Sequence, residues 1–362
     1  MKILLIIVVG LVLAGGFSTS CKHYGTEPTD TSKCDTCHKP CDTCNLNHDS
    51  LSHAFEWTEY TIDGETSLTG CWIFGDTDIR IVGNYLYKFN GVNFTKLSAY
   101  NVTRNMNMGG GWNGYNLFGF DSNDYWLASG SIVYHSVYGT HFEEFRPGNA
   151  NACWGASSND MFVVGNSGQI HHYDGTKYTD MVSGTMKNLN SVWGTSHNDV
   201  WAAGFNPTTA QSILLHFNGD NWKEETLSNI GDIRPFSHAL EEVWAVDSNQ
   251  HHLVVAGGSL LWRGTDDVSW RSDSGFIKNR LSDGSFIGLF HIRGNTSNDF
   301  VATGDGGFIS HWNGKTWMRY DDLYNPNNTF YITNAVSMKD NTICVVGAKD
   351  GQSWVAVGRR KQ

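Results

Sequence analysis

The chain has 362 residues, among them Gly 40, Trp 14, Tyr 14, Phe 19 and Pro 6, and only 17% are charged, against roughly 25% in ordinary soluble domains. So few charges beside so many aromatics exclude a coiled coil or a disordered solvating chain, and so much glycine without proline excludes collagen and disfavours helix. With Lys+Arg 25 against Asp+Glu 36, net charge −11, no nucleic-acid partner is expected, because phosphate contacts need a basic face.

The N-terminus reads as an address. Met1-Lys2 is a short positive segment, and the apolar run Ile3 to Ala14 spans 12 residues. A membrane-spanning helix needs about 20, so this is the core of a signal peptide. Gly15-Gly16 ends the run and Ser18-Thr19-Ser20-Cys21 follows. That tetrapeptide resembles a bacterial lipobox, with Ser18 where the usual motif has leucine. The resemblance implies that residues 1–20 are removed and Cys21 is lipidated. The chain would then be an outer-membrane lipoprotein of the bacterial cell envelope, periplasmic or surface-exposed, touching the membrane through its lipid only. Cleavage without lipidation, giving a secreted chain, is the alternative.

Residues 21–54 form a polar, Cys-rich linker with too few apolar residues to bury a core. Cys34-Asp-Thr-Cys37-His38 fits a haem c attachment motif, but a polar linker offers a haem neither apolar walls nor axial ligands. With Cys41 and Cys44 it forms Cys-x2-Cys-x3-Cys-x2-Cys, which could hold zinc. In an oxidising envelope, two local disulfides are the default. If Cys21 is lipidated, seven cysteines remain, so at least one of Cys71, Cys153 and Cys344 is expected as a buried free thiol.

Beyond residue 54 the chain repeats itself. The clearest copy is Ser191-Val-Trp193-Gly194-Thr-Ser-His-Asn198-Asp199-Val-Trp201-Ala-Ala-Gly204, and further copies centre on Trp154-Gly155 and Arg293-Gly294. From the opening apolar residue to the closing glycine is 12 positions for Cys71, Phe118, Cys153, Val192, Ile292 and Ala335, with a seventh, longer unit from Val243 to Gly257. Each reads as strand, Asn-Asp turn, strand. Downstream comes an aromatic, Asn-Gly or Asp-Gly, then another aromatic: Phe89-Asn90-Gly91…Phe94, Tyr173-Asp174-Gly175…Tyr178, Phe217-Asn218-Gly219…Trp222 and Trp312-Asn313-Gly314…Trp317. Such pairs predict hairpins whose two central residues both take φ > 0. Each unit is therefore expected to be a four-stranded antiparallel sheet.

The last unit ends after a third strand, and Trp57-Thr-Glu-Tyr60 resembles Trp317-Met-Arg-Tyr320 in form. The expectation is an all-β, seven-bladed β-propeller over residues 55–362, closed by an N-terminal strand that completes the last blade. A six- or eight-blade count, or a sandwich, is the alternative.

These repeats resemble a family of bacterial secreted and lipoprotein propellers built on Trp-Gly-x-x-x-Asn-Asp-Val-Trp units. They are also similar to the Asp-box (BNR, sialidase-type) repeat, which Ser310-x-Trp312-x-Gly314-x-Thr316-Trp317 matches in all but the aspartate. The resemblance implies a propeller and an envelope location rather than a chemistry.

No catalytic motif stands out: there is no Gly-x-Ser-x-Gly, His-Glu-x-x-His or phosphate loop. His172, His216 and His311 share one repeat position, which points to a structural role. No cofactor is expected; zinc or calcium are the metals the chain could hold, and no residue outside the linker is assigned to one. The insertions Asn101–Asn113, Phe205–Gln211, Thr226–Leu240, Ser272–Ser285 and Asp321–Tyr331 all fall in connections at one end of the blades. They carry Arg104, Trp112, Arg234, Phe236, His238, Arg271, Arg280 and Tyr324, a mixture suited to recognition. The expectation is a monomeric, non-catalytic propeller binding a protein or glycan through that end. A sialidase-like or other glycan-active hydrolase, or an outer-membrane assembly factor, are the alternatives.

Overall fold

The computed structural model describes residues 51–112, 114, 116–227, 239–246, 252–256, 260–263, 271–272, 288–323 and 331–361. Among them the regular structure is β-strand apart from short 3-10 turns. The strands form seven sheets. From inner to outer strand, sheet 1 is Gly70–Gly75, Asp78–Val82, Leu86–Phe89 and Phe94–Lys96. Sheet 3 is Ala152–Ser157, Asp160–Val164, Ile170–Tyr173 and Tyr178–Met181. Sheet 4 is Asn188–Ser196, Asp199–Phe205, Ser212–Phe217 and Trp222–Glu224. Sheet 5 is Glu242–Val246, His252–Ala256, Leu260–Arg263 and Arg271–Ser272, and sheet 6 is Leu289–Thr296, Asp299–Gly304, Phe308–Trp312 and Trp317–Arg319. In sheet 7, Ile332–Lys339, Thr342–Lys349 and Gln352–Arg360 are followed outward by Phe55–Tyr60, antiparallel to the last of them with Trp57 opposite Gly358.

Sheet 2 departs from the others and corrects the expectation of seven uniform four-stranded blades. Its core strands are Asn116–Gly119, Tyr125–Ser129, Ile132–Ser136 and His141–Phe145, but Ala99–Asn101 and Met106–Met108 add to its outer edge. Ala99–Asn101 runs parallel to His141–Phe145, with Tyr100 opposite His141. Six sheets, not seven, therefore carry the plain four-strand pattern, and one has six strands. The reason is local. The N–H groups of Tyr100 and Val102 donate to Thr140 O and Phe142 O, and Ala99 is buried against the sheet. Residues 99–108 thus cover an edge instead of looping away from it.

Each innermost strand packs beside the next in chain order, and that of sheet 7 packs beside that of sheet 1. The result is a ring of sheets facing one another, a β-propeller. Both faces of a sheet are then covered, so its strands read as continuous apolar runs such as Met161-Phe162-Val163-Val164, all buried.

The Trp-Gly dipeptide explains how neighbouring sheets interlock. A β-bulge falls after the glycine in sheets 3, 4 and 6. At Gly194 an added Cβ would meet the Trp154 ring of sheet 3 at 2.6 Å and Asp199 O at 2.7 Å. The indole of one sheet thus seats on the bare glycine of the next. Sheets 1 and 2 repeat the theme, with Trp72 Nε1 donating to Gly119 O at 3.0 Å.

The outer turns differ from the two-residue hairpins that Asn-Gly predicts. Phe89 pairs with Phe94, so the loop has four residues, and Gly91 has a positive φ while Asn90 does not. The asparagine instead caps the turn: Asn90 Oδ1 accepts from the N–H groups of Val92 and Asn93 at 3.0 and 2.9 Å. Asp174, Asn218 and Asn313 do the same in their sheets.

The aspartate of the Asn-Asp turn and the histidine of the third strand turn out to be partners. His135, His172, His216 and His311 place Nε2 at 2.9, 2.6, 2.8 and 2.8 Å from Asp124, Asp160, Asp199 and Asp299. Each pair pins the second strand to the third at the tight-turn end of its sheet. Each repeated histidine thus holds the repeated aspartate of its own sheet.

Candidate functional site

The ring has two unlike ends. The tight end carries the turns between first and second and between third and fourth strands. The open end carries the connections between second and third strands and between sheets. Among the described residues, two concavities lie at the open end.

The first is the mouth of the central channel, a cavity of about 70 Å³ lined by inner-strand residues of six sheets, including Asn116, Asn190, Glu241, Glu242, His291 and Arg293. Glu242 accepts from Arg293 Nη2 at 2.5 Å and from Ile292 N–H at 2.8 Å, with His291 Nδ1 at 3.5 Å. Burial alone would raise its carboxyl, but the Arg293 guanidinium and His291 outweigh that and hold it below the usual range. The guanidinium in turn lies over the Trp193 ring, 4.4 Å from its centroid. Glu241 next door is pushed up by burial, against the pull of His291 and an Asn190 hydrogen bond. Among the described residues lining this cavity, the acids are these two chain neighbours, and Glu242 is committed to an ion pair. A retaining or inverting glycosidase needs two carboxyl groups facing each other across the substrate.

The second is an open groove of about 490 Å³ beside sheet 3, floored by Gln169, Ile170, His171 and Met181 and walled by residues 182–186. Val182 and Met186 stand 87% and 80% exposed there, more than any other large apolar side chain among the described residues. His171 is buried and its Nδ1 donates to Asp180 Oδ1 at 2.7 Å, so the floor is fixed. Gly168 and Gly184 both take positive φ, which lets the backbone turn tightly around the groove.

Few of the residues expected at this end fall in described segments. Arg234, Phe236, His238, Arg280 and Tyr324 lie outside them, as do Cys21, Cys34, Cys37, Cys41 and Cys44. Arg271 belongs to the short outer strand of sheet 5, opposite Trp262. Trp112 is a core residue instead: it is 2% exposed, with Phe142 and Tyr134 ring centroids 4.8 and 5.0 Å away. Arg104 sits at the tip of the hairpin edging sheet 2, where its Nε lies 2.9 Å from Glu144, which Arg146 also contacts. Neither residue is brought to the channel mouth. Residues 101–112 thus do not project around the channel as the length of the insertion suggested. The groove was missed because its walls, Val182-Ser-Gly-Thr-Met186, belong to a short connection rather than an insertion.

Cys71, Cys153 and Cys344 are all buried and free. Burial pushes the Cys153 thiol up to about 12 and Cys71 well above its ordinary value. Neither has the exposed, electropositive setting of a reactive thiolate.

No protein-family model matches the chain, and no curated protein does. Solved structures match in fold. YCF48 bound to a D1 peptide is 14% identical, with a TM-score of 0.62, covering 86% of this chain and 97% of its own. YCF48 from Cyanidioschyzon merolae is 16% identical, TM-score 0.58, covering 84% and 98%. The WD40 β-propeller domain of Doa1 is 12% identical, TM-score 0.60, covering 85% and 98%. At such identities the likeness establishes the β-propeller fold alone.

Proposed function

We propose that this chain is a non-catalytic β-propeller of the bacterial cell envelope, lipidated at Cys21, which binds a protein partner through the open end of its ring. The observation that carries the reading is the groove beside sheet 3, where exposed Val182 and Met186 flank a fixed floor. An extended segment of a partner would gain by covering both side chains, at about 25 cal/mol per Å² of apolar surface removed from water. YCF48, a propeller of similar fold, holds a D1 peptide, which makes peptide capture a natural use of this architecture. The acidic total charge of the chain favours a partner with a neutral or basic contact surface.

Pull-down from envelope extracts, run beside a glycan array, tests the reading. The expected result is a protein retained by the wild-type chain and lost from the Val182→Asp/Met186→Asp double variant, with unchanged melting. Equal retention by the two chains, or binding to glycans only, would overturn it. The anchor is tested separately: Cys21→Ala should move the chain from the membrane fraction to the soluble one.

A further inference from the structure

At the tight end of the ring, between sheets 3 and 4, three metal-ligating side chains meet. Asp160 begins the second strand of sheet 3, His172 lies on its third strand, and His197 comes from the first turn of sheet 4. His172 Nε2 is 2.6 Å from Asp160 Oδ1, and His197 Nδ1 is 2.9 Å from both carboxylate oxygens. One ligand atom from each lies within 4.8 Å of the others. We propose that these residues form a binding site for a divalent transition metal of the zinc class.

Comparison with the neighbouring sheets separates this cluster from the general architecture. The Asp–His pair recurs, but the third member varies. The residue preceding the Asn-Asp turn is Ser122, Ser158 and Ser297 in sheets 2, 3 and 6, and His197 in sheet 4. Ser158 reaches back to Asp124 of sheet 2 just as His197 reaches back to Asp160 of sheet 3. A hydroxyl therefore suffices to link one sheet to the next, and the imidazole at 197 brings a second nitrogen ligand that the link does not require.

The chemistry of the set fits. Two neutral imidazoles and one carboxylate supply borderline nitrogen donors with a single negative charge, a composition that suits zinc better than magnesium or calcium. Each ring binds through the nitrogen now facing Asp160 and keeps its proton on the other one, so occupancy needs no net proton loss from neutral histidines. In a tetrahedral site with bonds of about 2.0–2.1 Å the donors stand about 3.3 Å apart, so His172 and His197 each have to draw back from Asp160, by roughly 0.7 and 0.4 Å. His197 has the freest side chain of the three, 49% exposed against 19% and 18% for His172 and Asp160, whose own separation must widen as well. The same exposure leaves the outer coordination position to water. Phe162 and Phe217, with ring centroids 6.1 and 6.2 Å from that of His197, wall the site on its inner side.

The test is a calorimetric zinc titration of the full chain and of its His197→Ser variant. Serine reproduces what sheet 3 carries at this position, so the fold should persist, and circular dichroism checks it. Both chains are also prepared with Cys34, Cys37, Cys41 and Cys44 replaced by serine, so that linker thiols cannot supply the signal. One zinc per chain is expected in the protein with the four linker cysteines replaced, weakened in His197→Ser by more than the roughly 10–100-fold that losing an outer-shell partner costs. Cobalt in the same site should show weak visible bands without the intense near-ultraviolet absorption of thiolate ligation. Absence of binding in the chain with the four linker cysteines replaced, or equal affinity in His197→Ser, would overturn the assignment.

Discussion

His311 Nε2 lies 2.8 Å from Asp299 Oδ1, and the two side chains are 0% and 5% exposed. Asp299 also accepts from Arg360 Nη2 at 2.5 Å and Asn295 Nδ2 at 2.7 Å, which ties sheet 6 to the last strand of the chain. The remaining imidazole nitrogen faces His53: His311 Nδ1 and His53 Nδ1 are 2.8 Å apart, and His53 Nε2 meets Thr316 Oγ1 at 2.9 Å. With one proton per ring the chain reads in one direction only. Thr316 donates to His53, His53 to His311, and His311 to Asp299.

Removing the charge at the end of this relay should be costly. Asp299→Asn leaves the Arg360 guanidinium buried without its counter-charge, and breaking such a pair costs about 3–5 kcal/mol. Chemical denaturation is expected to show a loss in that range. The better-exposed pair of Asp199 and His216, 19% and 27% exposed, should lose less when Asp199→Asn is measured in the same way.

The relay also sets a pH dependence. His53 is lowered to about 4 from 6.5, first by burial and then by His311 and Arg360, against a smaller pull from Asp299. Between pH 4 and 6.5 the unfolded chain therefore binds more protons at this residue than the folded one. Stability must then rise with pH across that window. Asp299 acts in the same sense at lower pH: burial would raise its carboxyl, but hydrogen bonds from His311, Asn295 and Arg360 leave it lowered. Its contribution is full above the ordinary carboxylate range and lost as pH falls through the folded value. Melting temperature followed from pH 4.5 to 7 should climb less steeply in His53→Ala than in the wild type; identical slopes would contradict this.

The contact of sheet with sheet is tested at Gly194. A methyl group there meets the Trp154 ring and Asp199 O below 3 Å, and overpacking of this kind costs about 1–3 kcal/mol. Gly194→Ala should lower stability by that amount and shift the tryptophan emission. Gly184, with nothing within 4 Å of an added Cβ but φ +74, provides a comparison in which only backbone strain acts.

Pairing of the first described strand with the last one is tested at Phe55. Its ring is 7% exposed, meets His311 edge-on at 5.3 Å, and has the Arg360 guanidinium carbon 4.8 Å from its centroid. Phe55→Ala should cost about 3–5 kcal/mol, the range for a buried aromatic. A change within experimental error would mean that Phe55–Tyr60 adds little to sheet 7.

Much of the architecture was legible because one pattern recurs. The 12-position interval from Cys71 to Gly83 or Val192 to Gly204 marks a strand pair, and the aromatic residues around Asn218-Gly219 mark another. The partnership of Asp160 with His172 was visible only as two separate regularities, since nothing in a linear repeat says that positions 12 apart converge. Ala99–Asn101 and Met106–Met108 are short and polar, and their parallel placement depends on an edge belonging to another unit. The groove beside sheet 3 arises from a turn and a linking segment that meet only in the folded ring. His197 was readable as the exception to a serine position, but its reach to Asp160 depends on how sheets 3 and 4 face each other.

The proposal of a partner at the open end is tested most directly by photo-cross-linking in the intact envelope. A photoreactive residue is placed at Met186 in the groove, or at Val92, which is 75% exposed in an outer turn at the tight end. The account predicts a discrete protein adduct from position 186 and none from position 92. Adducts from position 92 alone, or from neither, would contradict it.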